Sequence, residues 1–263
     1  LLERVEKDPG VVAGRFRQVA ERVFTRKNAF FNITSMQKDY RKIEKRIVGT
    51  VGVLSDKDWN VEEWNLKAVP LNEGFLTASN VQHVGKGANL YDLGFKYSGQ
   101  FEVLKGLLRT GFLWDRVRVH GGAYGSGNSF DFFTGDYSLL SYRDPNLAET
   151  LEVYDEVADF LNHLELPSEE LTKIIIGCVG KTDPPLTPDL KGKASMIDHL
   201  TGRTHEMKQK FREELLSTRI EDLKGYAPLF EKIRDGGHIC ALGNEDKLKK
   251  SKSIFSQLVK VFN

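Results

Sequence analysis

The sequence has little cysteine and no long apolar run. Only two of its 263 residues are cysteine. Cys178 and Cys240 each lie among apolar neighbours, so we expect two buried thiols rather than a disulfide framework or a metal site. No apolar run approaches the roughly eighteen residues that a membrane-spanning helix needs. We therefore expect no membrane partner.

An excess of charge of one sign is also missing. Lysine and arginine number 38 against 37 aspartates and glutamates, so the formal net charge is +1 and we expect no nucleic-acid partner. Hydrophobic residues make up 40% and charged residues 29%, which predicts a packed core. We see no repeat and no clear boundary, so we expect a single domain over residues 1–263. The first residue is Leu1 rather than methionine, which suggests a processed product or a piece of a longer protein.

Signatures of complete active sites are missing as well. None of the histidines forms His-Glu-x-x-His or its inverse His-x-x-Glu-His, the spacings that place two zinc ligands and a base on one helix face. The sequence has no Gly-x-Ser-x-Gly elbow, and its glycine-rich run at 121–127 is not a phosphate loop, because Gly-Lys-Ser/Thr does not end that run. His120, beside a glycine pair, is the histidine most expected to face a site. A surface role at the end of a strand is the alternative.

Apolar periodicity predicts an α+β domain with a mainly antiparallel sheet of about five to six strands and helices packed on one face. The predicted strands are 30–34, 75–84, 130–133, 137–142 and 237–242. The predicted helices are one after Pro9 and others at about 36–47, 98–113, 144–161, 168–178, 189–200 and 205–215, with a last one from 218 that Pro228 kinks or divides. Residues 56–72 are predicted to form a long connection.

Residues 116–145 carry the most suggestive chemistry. A basic, β-branched run enters the glycine-rich segment 121–127, and two aromatic strands joined by a turn at 134–136 follow as a hairpin. Arg118 and Tyr124 both donate hydrogen bonds and together could hold a carbonyl or an oxyanion. No nucleophile, base or metal ligand accompanies them, so the pattern predicts half of an active site. A flexible or bulged entry to a strand is the alternative explanation of the glycines.

These residues resemble the last domain of the presequence protease subfamily of pitrilysin-type (insulinase-type) zinc metallopeptidases, which includes falcilysin-like enzymes. The motifs that carry the resemblance are Arg118-x-x-Gly121-Gly122-Ala123-Tyr124-Gly125, Ser141-Tyr142-Arg143-Asp144-Pro145-Asn146, Asp183-Pro184-Pro185 with Pro188, Gly202-x-Thr204-x-Glu206 with Arg212, and Tyr97-Ser98-Gly99.

The resemblance implies one polypeptide of four similar domains that close around a chamber. Zinc would be bound in the first domain by His-x-x-Glu-His and a distal glutamate. This chain lacks that motif, so we expect the C-terminal domain of a longer enzyme, with no zinc of its own and no activity alone. Its partners would be the N-terminal domains of the same polypeptide and an unfolded peptide such as a presequence. The compartment would be an organelle (mitochondrion, plastid or parasite organelle) or the bacterial cytoplasm.

The resemblance also implies roles for particular residues. Arg118 and Tyr124 would grip the substrate backbone near the scissile bond, and Tyr124 would help to stabilise the oxyanion.

A substrate-binding role is implied for the small residues around Tyr124, which would bring the backbone close to a bound peptide. They are Gly121, Gly122, Ala123 and Gly125. For Arg143 and Asp144 we expect structural roles, with Asp144 as the cap of a helix that has Pro145 in its first turn. Arg143 would pair with a buried carboxylate, and the alternative is that it lines the chamber. The alternative function is a non-catalytic, metallopeptidase-like binding or scaffold domain, although the presence of both donors favours the enzyme.

Overall fold

The computed structural model describes residues 7–58, 63 and 72–261. The chain divides into two compact units, one of Leu1–Lys67 with Pro185–Thr204 and the other of Ala68–Pro184 with His205–Asn263. The single domain over residues 1–263 stays a prediction. Most of the predicted connection at 56–72 lies outside the described residues.

The described residues form eleven α-helices and six β-strands. The helices are α1 (Pro9–Val23), α2 (Gln37–Gly52), α3 (Gly99–Leu107), α4 (Ala148–Asp155), α5 (Val157–Asn162), α6 (Ser168–Thr182), α7 (Pro188–Leu200), α8 (His205–Leu216), α9 (Ile220–Lys224), α10 (Ala227–Gly236) and α11 (Glu245–Lys250), with π-helical segments at Leu108–Phe112 and Trp114–His120 and a 3₁₀ turn at Lys252–Ile254. The strands are β1 (Glu73–Thr77), β2 (Gln82–Asn89), β3 (Gly125–Phe130), β4 (Asp136–Asp144), β5 (His238–Asn244) and β6 (Gln257–Lys260).

The smaller unit contains α1, α2 and α7. Its helices carry the predicted apolar stripes, yet α1 leaves Phe16 and Val19 largely exposed. Residues 30–34 form no strand, so that prediction is wrong. Phe30 instead stacks on the ring of His199 in α7, with the ring centres 6.0 Å apart. Alternation over five residues is a weak signal for a strand when no neighbouring strand is available to pair with it.

The larger unit is built on a six-stranded sheet in the order β3-β4-β2-β5-β1-β6. The pairs β3–β4, β4–β2 and β2–β5 are antiparallel, whereas β1 pairs in parallel with both β5 and β6. The α+β class is confirmed. The sheet is mixed, with three antiparallel pairs and two parallel ones, so it is mainly but not purely antiparallel. Parallel neighbours need a long crossover, and the helical chain between β1 and β5 supplies it.

Two further strand predictions need correction. The predicted strand 75–84 is two strands, β1 and β2, connected by residues 78–81, and β6 was not predicted.

Pro228 does separate the last predicted helix into α9 and α10, because it lies in the first turn of α10, where a missing N–H costs nothing.

The two faces of the sheet differ in burial. Val84, Leu139 and Ala241 lie on a face covered by helices and are almost fully buried. The neighbouring Leu140 and Leu242 point to the other side and are 44% and 37% exposed. Helices therefore pack on one face, as predicted, and we call the other one the open face.

The helix that begins with α3 continues beyond its predicted end near residue 113 and reaches His120 through the two π-helical segments. Its buried residues Leu108 and Val117 are nine positions apart. In an α-helix of 3.6 residues per turn such residues lie on opposite sides. The wider π turns bring both to the core, and π-helical turns are frequent at functional sites.

Candidate functional site

Arg118 lies on the second π-helical segment, one turn after Trp114. Its guanidinium carbon is 4.0 Å from the centre of the Trp114 ring, a close cation–π contact. Stacking on a ring face leaves the N–H groups at the edge of the guanidinium able to donate. Among the described residues, no carboxylate lies within 4.0 Å of this cation. Arg118 is thus oriented by the protein and available to an external acceptor.

A tight turn joins this segment to β3. The N–H groups of Gly122 and Ala123 donate to the carbonyls of Arg118 and Val117 at 3.0 and 3.2 Å. A Cβ on Gly121 would lie 2.5 Å from the Val117 oxygen, and Gly122 has φ +78°. Both glycines are therefore required by the backbone. The Ala123 side chain is buried in the core at 3% exposure, and a substrate contact by these three residues stays a prediction.

Tyr124 follows the turn, and its side chain is 66% exposed. Its N–H donates to the carbonyl of Arg143 at 3.3 Å. The Tyr142 ring packs edge-on with its centre 5.9 Å away, and the Arg143 guanidinium carbon is 5.7 Å from the Tyr124 ring centre. No group in the described part of the chain accepts a hydrogen bond from the phenol. Tyr124 thus presents an unused donor on a ring held by its neighbours.

Strand register extends this cluster across the open face. Phe75, Leu242 and His83 are cross-strand neighbours on β1, β5 and β2. The His83 ring lies 4.8 Å from that of Tyr142 on β4. These four residues form a row of mainly apolar side chains, which we call the aromatic row, that leads along the sheet towards Tyr124.

The predicted hairpin exists, but its parts are displaced. The first strand is the glycine-rich run Gly125–Phe130 rather than residues 130–133. The turn is closed by the Gly135 N–H, which donates to the Asp131 carbonyl at 2.8 Å, so it starts before the predicted 134–136. Glycine and serine have weak strand propensity, and here pairing with β4 overrides it.

Asp144 does not cap a helix. It ends β4, and α4 begins only at Ala148. Its buried carboxylate accepts hydrogen bonds from the Asn146 N–H at 2.9 Å and the Thr150 hydroxyl at 2.8 Å. The predicted structural role of Asp144 is confirmed, because its carboxylate fixes the path from β4 into α4. The predicted helix cap is wrong, and Pro145 lies before α4 rather than in its first turn.

His120 lies at the exposed end of the π-helical segment, with Nδ1 2.9 Å from the Asp115 carbonyl oxygen. The histidine in the aromatic row is instead His83.

Cys178 is buried, as predicted, whereas Cys240 is exposed, so the prediction is wrong for the second thiol. Cys240 lies on β5 directly opposite Gly85, which has no side chain to cover it. Within the described ranges, no three His, Cys, Asp or Glu side chains are grouped to hold a metal ion.

No site role was predicted from the sequence for Trp114, Tyr142 or His83, although Tyr142 belongs to one of the motifs named above. A signal existed for Trp114, which stands four positions before Arg118 on what proves to be one helix. For Tyr142 and His83 the signal lies only in strand register, because they are 59 positions apart in sequence (142 − 83) and meet through the β2–β4 pairing.

Comparison with known proteins places this geometry in a family. The family model described as the PreP C-terminal domain matches residues 72–245. Protein HypA of Clostridium perfringens is 35% identical over 262 residues, which cover 99% of this chain and 27% of that protein. Presequence protease 1, chloroplastic/mitochondrial, of Arabidopsis thaliana is 34% identical over 249 residues, 94% of this chain and 23% of that protein. The chain thus spans about a quarter of the length of these relatives.

Solved structures share the fold at low sequence identity. A protease from Helicobacter pylori has a TM-score of 0.55 at 16% identity, over 79% of this chain and 52% of that one. Pitrilysin has a TM-score of 0.52 at 11% identity, over 79% of this chain and 23% of that one. The domain described as a peptidase M16 inactive domain from Pseudomonas fluorescens has a TM-score of 0.53 at 16% identity, over 78% and 51%. This chain therefore belongs to the PreP C-terminal domain family, on a pitrilysin-type peptidase fold.

Proposed function

We propose that this chain is the substrate-gripping, transition-state-stabilising C-terminal domain of a zinc metalloendopeptidase that degrades unfolded peptides such as presequences. The observation that carries the proposal is the pair of donors, Arg118 and Tyr124, on either side of one tight turn. Each is held by aromatic or cationic neighbours, and neither donor group has an acceptor among the described residues. Arg118 is partly exposed and Tyr124 is exposed, so both donors are accessible to an acceptor on a bound peptide.

Arg118 would bind a carbonyl oxygen of the peptide backbone near the scissile bond. A guanidinium held over the Trp114 ring has lost part of its rotamer freedom before the substrate arrives. Less entropy is then lost on binding, so the hydrogen bond contributes more to affinity. The role of Arg118 would be mainly to place the peptide.

Tyr124 would donate to the carbonyl oxygen that becomes an oxyanion when the scissile carbon turns tetrahedral. The phenol O–H interacts more strongly with the negative oxygen than with the neutral carbonyl, so it lowers the barrier and does more than tighten binding. The attacking water and the groups that activate it would come from elsewhere in the full-length protein.

The glycines beside Tyr124 leave room for a bound peptide. A Cβ on Gly122 would have Pro145 as its nearest neighbour at 3.6 Å, and one on Gly125 would be 3.8 Å from the Cβ of Tyr142. Because neither glycine is covered by backbone at that point, an extended substrate can approach the chain there.

Zinc would be held by another domain, since the described residues of this chain do not fit a zinc site. The partners would be the N-terminal domains of the same polypeptide and the unfolded peptide. The relatives named above include a chloroplastic/mitochondrial protein and a bacterial one, which supports an organellar or bacterial cytoplasmic location. No helix among the described residues is long and apolar enough to cross a bilayer.

The test uses the full-length protein and a basic, unfolded presequence-like peptide. We expect Arg118→Gln to lower kcat/KM about 10- to 100-fold, the worth of one charge-assisted hydrogen bond. Arg109→Gln, at an exposed arginine outside the proposed site, is the control and should leave kcat/KM unchanged. If the full-length protein binds the peptide without cleaving it, the alternative of a non-catalytic binding or scaffold domain is correct.

A further inference from the structure

Arg143 has an unusual backbone conformation. Its φ of 49° is the one positive value at a non-glycine residue in the described part of the chain. This left-handed region is disfavoured for residues with a Cβ. Asn and Asp tolerate it better than other such residues, but arginine is not among these exceptions. Residues held in such conformations cluster at functional sites, where the surrounding structure keeps them strained.

The local strand geometry explains the backbone conformation. Gln82 pairs with Asp144 and Val84 pairs with Ser141, so β4 holds one residue more than β2 between these pairs. Ser141 and Asp144 are both buried, whereas the two residues between them are both exposed. In the type of bulge that has a residue in the left-handed region, that residue is characteristically a glycine. Glycine would adopt this backbone conformation with less strain than arginine. The backbone therefore does not explain why an arginine stands at position 143.

The side chain of Arg143 supplies that reason. Its guanidinium carbon lies 5.7 Å from the centre of the Tyr124 ring, within the range of a cation–π contact. No described carboxylate is within 4.0 Å of it. The Arg143 carbonyl also accepts the Tyr124 N–H at 3.3 Å. Backbone and side chain of one residue therefore both act on Tyr124.

We propose that Arg143 is a positioning residue that holds the Tyr124 phenol in the orientation from which it donates to the oxyanion; this rests on the function proposed above. A tyrosine that is 66% exposed would otherwise sample several rotamers. The bulge turns Arg143 to the exposed side, and its guanidinium restricts the ring from one direction while the Tyr142 ring, at 5.9 Å, restricts it from another. Misplacement of a catalytic donor by about 1 Å can cost on the order of 100-fold in rate.

The first measurement compares Arg143→Gly with Arg143→Lys in the full-length protein. Glycine relieves the backbone strain, so we expect the thermal unfolding midpoint to stay the same or rise while kcat falls about 10- to 100-fold with little change in KM. Lysine keeps a cation near the ring, so we expect it to restore part of kcat. A merely structural arginine would show the opposite, a lower midpoint with kcat retained.

A double-mutant cycle with Tyr124→Phe tests whether Arg143 acts through the phenol. It is measured at a temperature at which all four proteins stay folded. We expect Arg143→Gly to have no further effect on kcat once the hydroxyl of Tyr124 is gone. Wild-type kcat in Arg143→Gly, or an equal loss in both backgrounds, would overturn the positioning role, because Arg143 would then be idle or act on the substrate directly.

The same cycle separates this inference from the proposed function. If Tyr124→Phe alone leaves kcat unchanged, the proposed function fails and the positioning role fails with it. If Tyr124→Phe lowers kcat but Arg143→Gly does not, the proposed function stands and only the positioning role is lost.

Discussion

The two faces of the central sheet are made by the same strands but serve different ends. On the helix-covered face, Val84, Leu139 and Ala241 are at most 1% exposed. On the open face, Leu140 is 44% and Tyr142 51% exposed, and Tyr124 lies beyond them at the edge of the sheet. Alternation along β4 therefore separates residues that hold the domain together from residues that remain available to something outside it.

The difference shows where stability and function are located. Buried apolar area stabilises the fold, so the covered face and its helices carry the core. An open sheet face with an aromatic row costs stability in water, since it leaves apolar surface hydrated. It lies beside Arg118 and Tyr124, so it fits the substrate-binding role proposed above.

Two adjacent leucines test this separation most strongly. Leu139→Ala removes a fully buried side chain and should destabilise the domain by about 2–5 kcal/mol, because it leaves a cavity in a packed core. Leu140→Ala, on the open face, should cost about 1 kcal/mol or less. Urea unfolding of the two variants in the same full-length background measures both. Equal losses would mean that the open face is covered by packed structure.

The labelling rates of the two thiols test the difference between the open face and the buried core with a smaller expected effect. We expect Cys240, on the open face, to react with a maleimide much faster than Cys178, which donates to the Glu102 carbonyl in the contact between α3 and α6. Burial raises the pKa of both thiols. Both are therefore neutral near pH 7, and both labelling rates should rise as the pH increases towards and beyond the ordinary thiol range. Mass spectrometry of timed digests reads the two rates, and faster labelling of Cys178 would contradict the assignment of faces.

Sequence reasoning succeeded where the signal was local. The helical spacing of α7 and α8 and the division at Pro228 both follow from short patterns. The site role of the donor pair Arg118 and Tyr124 stays a prediction. The α+β class followed from the same patterns summed over the chain, because helices and strands with one apolar face must pack against each other.

Prediction failed where the structure depends on distant pairing. Gly125–Phe130 has poor strand propensity and becomes β3 only because β4 lies beside it. The parallel pairing of β1 with β5 joins residues far apart in sequence. The bulge that places Arg143 beside Tyr124 depends on the register between β2 and β4, which a single sequence does not reveal.

The predicted end of the helix before the site was wrong for a different reason. Leu108 and Val117 do not share a face at 3.6 residues per turn. A prediction based on the α-helical period therefore places the end of the helix too early. The π-helical winding that brings both to the core also places Arg118 on Trp114. A search for apolar residues at a wider period would have extended the helix to His120.

The most direct test of the central claim is the kcat of Tyr124→Phe in the full-length protein, with its unfolding midpoint measured in parallel. Tyr40→Phe, which removes a hydroxyl from another partly exposed tyrosine in the smaller unit, is the matched control. We predict a loss of about 10²–10³-fold in kcat with an unchanged midpoint, because the phenol acts only as the carbonyl becomes an oxyanion. Full kcat in Tyr124→Phe would contradict the account.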